Sequence, residues 1–508
     1  MPFLPKKRKH KLVVLGDSIT QGFQSSAIYR TDFSFPAMLA SALDPEFEFR
    51  QARFSVRGGI PINLEFILRT LERERREQLD WRRYPVAISE VYSSIRKTKQ
   101  YWEGNPEALL RDEQAPYHNQ SVWGLNISDV WNITDSISRD YIENSTVKYS
   151  VFNFLPDHAL YTTARCILNP SGEKKRTHKS MLDNIAELAD DGGIENLIIH
   201  LGSNHIVGAI TKLDLIWSEA SEIEMLPFQR KYTVLRPEHF KANYESLASS
   251  ISRLNVKNVI VATIPYVTTP PVIQGISGDS EDQNFIYQDY YTHFWQNKEE
   301  FTPDLHRHLT KDQAIQLDIA VDEFNQIIKE TADKMGWILV DVNRAVTLMD
   351  YRRHKGRQAT LFPQGLHDAL KIFPETSYLG GLHQKCFLDT RYLEADTETN
   401  RIISGGIFSL DGLHPTTIGY GLIADVFYQE MKSSGIRFQS ELNWPKIVEN
   451  DSLIMNPPLF LHELKGIYRL FAGMYNSARA LSDPDKIVEP LFGFWRNLRK
   501  VLTKEEME

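Results

Sequence analysis

Five short apolar segments, each running into small or polar residues, recur along this chain. They are Lys11–Gly16 (KLVVLG), His118–Gly124 (HNQSVWG), Asn196–Gly202 (NLIIHLG), Asn258–Pro265 (NVIVATIP) and Trp337–Val342 (WILVDV). Stretches of helical periodicity lie between them, at Phe35–Leu43, Lys179–Leu188, Phe240–Leu254 and Ala314–Met335, and a last one runs from about Thr416 to Met431. Apolar strands that alternate with helices predict an α/β fold with a parallel sheet covered on both faces. In such a sheet the polar residues at the carboxyl ends of the strands are where chemistry is expected.

The chain is longer than these elements need. Its 508 residues correspond to roughly three domains of about 150 residues, or to one heavily decorated domain. A hydrophobic fraction of 42% with 24% charged residues is that of a globular chain and excludes wholesale disorder. We expect one domain over residues 11–435, with insertions at about 46–116, 141–178, 207–239, 271–312 and 349–404. A helical C-terminal extension is expected over 436–508. Within the insertions we expect a charged helix at Leu64–Leu79, strand-rich structure at Tyr141–Pro170, and a hairpin of Arg391–Ala395 with Arg401–Phe408.

Composition narrows the partners. Lys+Arg 58 against Asp+Glu 66 gives a net charge of −8, which argues against a general nucleic-acid binder. Only Cys166 and Cys386 occur, too few for a disulfide framework or a zinc cluster, and that usage fits a reducing, cytoplasmic setting. No apolar run approaches the roughly 18 to 20 residues of a membrane span. The basic run Lys6–Lys11 lacks a signal-peptide core behind it and reads as a solvated leader. The four sequons, at Asn119, Asn126, Asn132 and Asn144, carry no meaning without a secretion signal.

Four local patterns bear on chemistry. Gly16-Asp17-Ser18-Ile19-Thr20 follows the first strand and brings a serine hydroxyl among backbone N–H groups at a helix start. That suits a nucleophile, and it equally suits a helix N-cap. Asp411-Gly412-Leu413-His414-Pro415 places a carboxylate three residues before an imidazole. It offers a base for a serine together with the group that orients the base, or a capped turn beside a surface histidine. Gly202-Ser203-Asn204 puts a side-chain amide at a strand end, where it can donate to a developing oxyanion. Gly124 allows close approach and a free backbone N–H at another strand end.

In chain order, as Ser18, Gly124, Asn204 and Asp411–His414, each at a strand end or just ahead of a helix, the four blocks resemble those of the SGNH hydrolases, also called GDSL lipases and esterases. The resemblance covers the sheet elements from Lys11 to about Met431, not the insertions or the tail. It implies a flavodoxin-like three-layer α/β/α fold and a serine hydrolase that cleaves carboxylic esters through an acyl-serine. It further implies Ser18 as nucleophile, His414 as base and Asp411 as its partner. The oxyanion hole would consist of the Ser18 and Gly124 N–H groups and the Asn204 amide. No metal or organic cofactor is implied, and the substrate is a small-molecule, lipid or carbohydrate ester. The blocks do not separate acyl donors, so a carbohydrate O-acetylesterase, a thioesterase or a phospholipase are alternatives on the same fold. A non-catalytic binding or scaffold protein is the alternative of another class, and intact Ser18, Asn204, Asp411 and His414 argue against it. The chain departs from the family pattern at His205, where an aspartate is usual, and Gly58-Gly59 rivals Gly124 as the glycine donor.

Other patterns carry less. Gly-x-Ser-x-Gly and Walker A motifs are absent. Gly419-Tyr420-Gly421-Leu422-Ile423-Ala424 spells a dinucleotide fingerprint, but it falls inside an expected helix. Asp304, His306 and His308 lack further ligands at metal-binding spacing and read as a solvated loop. The aromatics between Phe285 and Phe301 read as anchors for an inserted segment.

Overall fold

The computed structural model describes residues 8–74, 84–105, 109–110, 116–144, 158–277, 286–354, 362–381, 386–466 and 468–469. Its centre is a five-stranded, wholly parallel sheet of β1 (His10–Gly16), β2 (Asn119–Ser121), β3 (Ile194–His200), β4 (Val256–Ala262) and β5 (Ile338–Val340). Every one of the five apolar segments supplies a strand. The spatial order is β2-β1-β3-β4-β5, the flavodoxin-like order, whose connections reverse direction between β1 and β3.

The strands read as continuous apolar runs because both faces are buried. Val13, Leu15, Leu197, Ile199 and Val261 enter one hydrophobic layer, while Leu12, Val14, Ile198, Ile260 and Val340 enter the other. The first layer is covered by Met181–Asp190, Pro237–Ile251 and Lys311–Met335, the second by Phe35–Leu43 and Thr417–Ser433. Local signals set the ends of these helices. Ser34 caps Phe35–Leu43 ahead of Pro36, Ser180 and Asp183 form a capping box, and Gly336 closes Lys311–Met335 at φ 66°. Trp444, Ile447, Val448, Leu453 and Ile454, beyond the last of these helices, pack into the second layer.

The fingerprint-like glycines lie within Thr417–Ser433 and have a packing reason. A Cβ on Gly419 would sit 2.3 Å from the Ile407 carbonyl oxygen, and one on Gly421 would sit 2.9 Å from the Trp444 ring.

Residues 141–170 correct the expectation of strands. Where described they are helical, in Asp135–Asn144 and Ala159–Leu168. Tyr161, Ile167 and Leu168 there enter the first hydrophobic layer, and the buried Asp135 ties the two helices by accepting bonds from Arg165 Nε at 3.0 Å and Asn169 Nδ2 at 2.8 Å. Residues 47–54 form no strand, although the Arg50 carbonyl accepts the His118 N–H at 2.8 Å beside β2. The charged helix spans Leu64–Glu74, and 75–79 lie outside the described residues. The expected hairpin forms, shorter, as Glu394–Ala395 against Ile402–Ser404. The aromatic segment contributes Tyr290–His293 to a small antiparallel sheet, with Phe294 stacked on Tyr392 and Trp295 on Tyr468. Asn119 and Asn126 are buried and hydrogen-bonded, which removes them as glycosylation acceptors in the folded chain. Among the described residues no helix is long and apolar enough to cross a membrane.

Candidate active site

Strand register brings the motif blocks level. Gly16, the last residue of β1, is paired with Ser121 of β2 and with His200 of β3. The serine block, Gly124 and Asn204 therefore leave the same edge of the sheet, around the point where the connections reverse. A Cβ on Gly16 would lie 2.1 Å from Thr20 Oγ1, so only glycine permits the tight turn that follows.

Ser18 is the first residue of the short helix α1 (Ser18–Gln21). The capping role falls to Asp17, whose carboxylate accepts the Ile19 N–H at 3.1 Å. The Ser18 hydroxyl is thereby left for other work. His414 Nε2 lies 3.0 Å from Ser18 Oγ, and His414 Nδ1 lies 3.0 Å from Asp411 Oδ2. Both contacts are satisfied when Nδ1 carries the proton, so that it donates to Asp411 and Nε2 accepts from Ser18. The Phe23 ring lies 4.5 Å from the imidazole and limits its rotation.

Asp411 both caps its turn and holds the imidazole. Its Oδ1 accepts the Leu413 and His414 N–H groups at 2.8 Å, and its Oδ2 accepts the Ser26 N–H at 2.8 Å. Burial alone would raise the Asp411 carboxyl, but the His414 charge and these hydrogen bonds outweigh it and hold the carboxyl below its usual value.

Asn204 lines the same cavity as Ser18 and is tied to the Trp123–Ile127 loop. Asn204 Nδ2 donates to the Leu125 carbonyl at 2.9 Å and makes a longer contact of 3.4 Å with Asp17 Oδ2. Gly124 follows Trp123 at φ 76°, and the Trp123 N–H is held by Gln21 Oε1 at 3.0 Å. His205 does not turn toward Ser18. Its Nε2 accepts the Ile127 N–H at 3.2 Å, and burial keeps the ring neutral by pushing its pKa well below the usual value. Gly58 and Gly59 precede the strand Ile60–Pro61, which pairs with Ala27–Ile28, and a Cβ on Gly59 would meet the Ile28 carbonyl oxygen at 2.4 Å. That close approach accounts for the rival glycine.

Sequence reasoning gave no supporting role to Asp17, Gln21 or Ser26, and it singled out His205 only as a departure from the family pattern. Gln21 was within reach of it, since it follows Ser18 by one helical turn. Of the remaining candidates, His306 Nδ1 accepts the Thr302 N–H at 3.0 Å within its own loop, and His308 Nδ1 lies 2.9 Å from the His306 carbonyl. Among the described residues no group of three His, Cys, Asp or Glu is arranged to hold a metal ion.

Ser18, Asn204 and His414 line a cavity of about 100 Å³ whose other walls are largely apolar.

No family model matches the chain, and no curated protein matches it. Among solved structures it is similar to the acetylxylan esterase Axe2 from Geobacillus stearothermophilus, at 12% identity and a TM-score of 0.27, over 84% of this chain and 96% of that one. It is also similar to a protein from Parabacteroides merdae described as a GDSL-like lipase, at 12% identity and a TM-score of 0.25, over 85% of this chain and 99% of that one. A third is an alpha/beta hydrolase enzyme from the metagenome of Lake Arreo, Spain, at 12% identity and a TM-score of 0.26, over 84% and 96% of the two chains. The contacts around Ser18, rather than these likenesses, carry the functional reading.

Proposed function

We propose that this protein is a serine hydrolase of carboxylic esters, of the SGNH/GDSL type. The observation that carries the reading is the relay of Ser18 Oγ, His414 Nε2, His414 Nδ1 and Asp411 Oδ2, with both contacts at 3.0 Å. A serine hydroxyl is a weak nucleophile until a base takes its proton, and the imidazole becomes a better base when a carboxylate stabilises its charged form.

In this reading Ser18 Oγ attacks the ester carbonyl carbon while His414 Nε2 takes its proton. The tetrahedral oxyanion is met by the Ser18 and Gly124 N–H groups and by the Asn204 amide. Collapse breaks the bond to the alcohol oxygen, which receives the proton from His414. Water then gives a proton to His414 and its oxygen to the acyl-serine. The second collapse breaks the Ser18 ester, returns the proton to Ser18 Oγ and releases the acid. Asp411 stays ionised throughout, because its hydrogen bonds favour the carboxylate.

The test is labelling by a fluorophosphonate probe together with hydrolysis of p-nitrophenyl esters, on the wild type and on Ser18→Ala. Labelling and turnover are expected for the first and neither for the second, with the same circular dichroism spectrum. Turnover retained by folded Ser18→Ala would sink the reading.

A further inference from the structure

The tetrahedral intermediate formed on Ser18 has three directions to fill besides the bond to Ser18. Its oxygen faces Asn204 and Gly124, its leaving group faces His414, and the rest of the acyl group needs a third space. The cavity at Ser18 supplies one. It passes Val207 and runs over the carboxyl ends of β4 and β5 to Val267, Val342, Val346 and Met349, with Leu422 of the helix Thr417–Ser433 as another wall.

Two features identify the occupant. The first is chemistry. A sugar ring would bring several hydroxyls, each needing a partner in a space walled by valines, methionine and leucine. Two of the polar side chains on the wall are already engaged. Tyr266 donates to Asp322 Oδ1 at 2.7 Å, and Thr390 Oγ1 accepts the Tyr351 N–H at 2.9 Å. His200 and Ser203, the others beyond the catalytic trio, sit at the β3 end near Asn204. The second is size. An apolar cavity of about 150 Å³ accommodates a benzene ring of six carbons. By that measure the cavity of about 100 Å³ takes about four carbons beyond the carbonyl.

We infer that this cavity binds the acyl chain of the substrate, and that the chain is a straight aliphatic one of about four to six carbons. The inference rests on the ester-hydrolase reading above. An apolar space that begins at Ser18 suits the acyl group, which stays covalently held through both half-reactions. The alcohol must leave toward solvent past His414.

The experiment is a series of p-nitrophenyl esters from acetate to palmitate, with a second series of acetates of lengthening alcohols. A buried methylene is worth roughly fourfold in kcat/KM, so butyrate should exceed acetate by about fifteenfold. The advantage should end beyond hexanoate. Val346→Phe, which fills the cavity, should lower the butyrate-to-acetate ratio about tenfold. Should that variant fail to fold, Met349→Ala enlarges the same space and should move the optimum to longer acyl chains. A labelled, active wild type that prefers acetate, or that responds to alcohol length instead of acyl length, would overturn the acyl pocket and leave the hydrolase reading standing. A ratio unmoved in a folded Val346→Phe would overturn it as well. A folded wild type that neither takes the fluorophosphonate probe nor cleaves any ester would remove both.

Discussion

The backbone N–H of Ser26 donates to Asp411 Oδ2 at 2.8 Å from a residue held at φ 61°. Its neighbour Ser25, at φ 51°, donates its own N–H to Ser409 Oγ at 2.8 Å. Two successive non-glycine residues in the left-handed region carry strain of about 1 to 3 kcal/mol each, which persists only where the surroundings impose it. Here the strain delivers two N–H groups to the segment that carries Asp411. Ser26→Gly keeps the N–H and relieves the strain, so it should retain activity and gain a few tenths of a kcal/mol or more in stability. Ser26→Val is opposed at this φ by its branched Cβ. It should cost about 1 to 2 kcal/mol and lower kcat severalfold, although it touches neither Ser18 nor His414. Chemical denaturation and steady-state kinetics on both variants check this, and equal behaviour of the two would contradict it.

Asn204 is tied to the Leu125 carbonyl through one N–H, at 2.9 Å, and only loosely to Asp17 through the other, at 3.4 Å. The loosely held N–H is the one free to turn to an oxyanion, and the charge it meets develops only toward the transition state. Asn204→Ala should lower kcat by roughly a hundredfold or more with KM little changed. A reduced thermal midpoint with kcat intact would make Asn204 a turn residue only.

His205 stands where an aspartate is usual in the family that the motifs resemble, and here it holds the loop bearing Gly124 by accepting the Ile127 N–H at 3.2 Å. His205→Phe keeps the bulk beside Phe240 but leaves that N–H buried without an acceptor. The expected cost is about 1 to 3 kcal/mol. A fall in kcat should accompany it, because in the proposed mechanism the loop carries Gly124, one of the oxyanion donors. Full stability in the phenylalanine variant would show that the bond carries little.

The parts of the molecule legible in the sequence are those that local chemistry decides. Phe35–Leu43 could be bounded to the residue because Ser34 and Pro36 mark its start and its buried stripe recurs with helical period. Ser18, Asp411 and His414 were legible because each sits in a short block whose residues act on one another. The pairings that support them were not. Gln21 with Trp123, His205 with Ile127 and Ser26 with Asp411 join residues 102, 78 and 385 positions apart, and only the strand register sets those distances. Residues 159–168 misled for another reason. Tyr161, Thr162, Thr163 and Ile167 are favoured in strands, yet the segment is buried on nearly every side and folds as a helix. Preference for strand depends on such surroundings more than on residue type.

Asp17 gives the last prediction, a pH dependence of stability that can be assigned to one residue. Its side chain is wholly buried beside Ser18. Desolvation raises its carboxyl from 3.8 to about 7, against the opposing pull of the Ile19 N–H and of His414. The folded state therefore keeps a proton that the unfolded chain has given up. The stability so gained is complete below pH of about 4 and is lost as pH rises through about 7, on the order of 4 kcal/mol in all. Asp17→Asn cannot ionise and can still accept the Ile19 N–H, so it lacks this slope. It forfeits one acceptor for Asn204, a loss that is the same at every pH. Unfolding by denaturant at pH 5 and at pH 8 isolates the titration as the change in the difference between the two proteins. The wild type should lose ground to Asp17→Asn between the two pH values by roughly 2 to 3 kcal/mol. A difference that does not change with pH would mean that Asp17 keeps its ordinary titration in the folded protein.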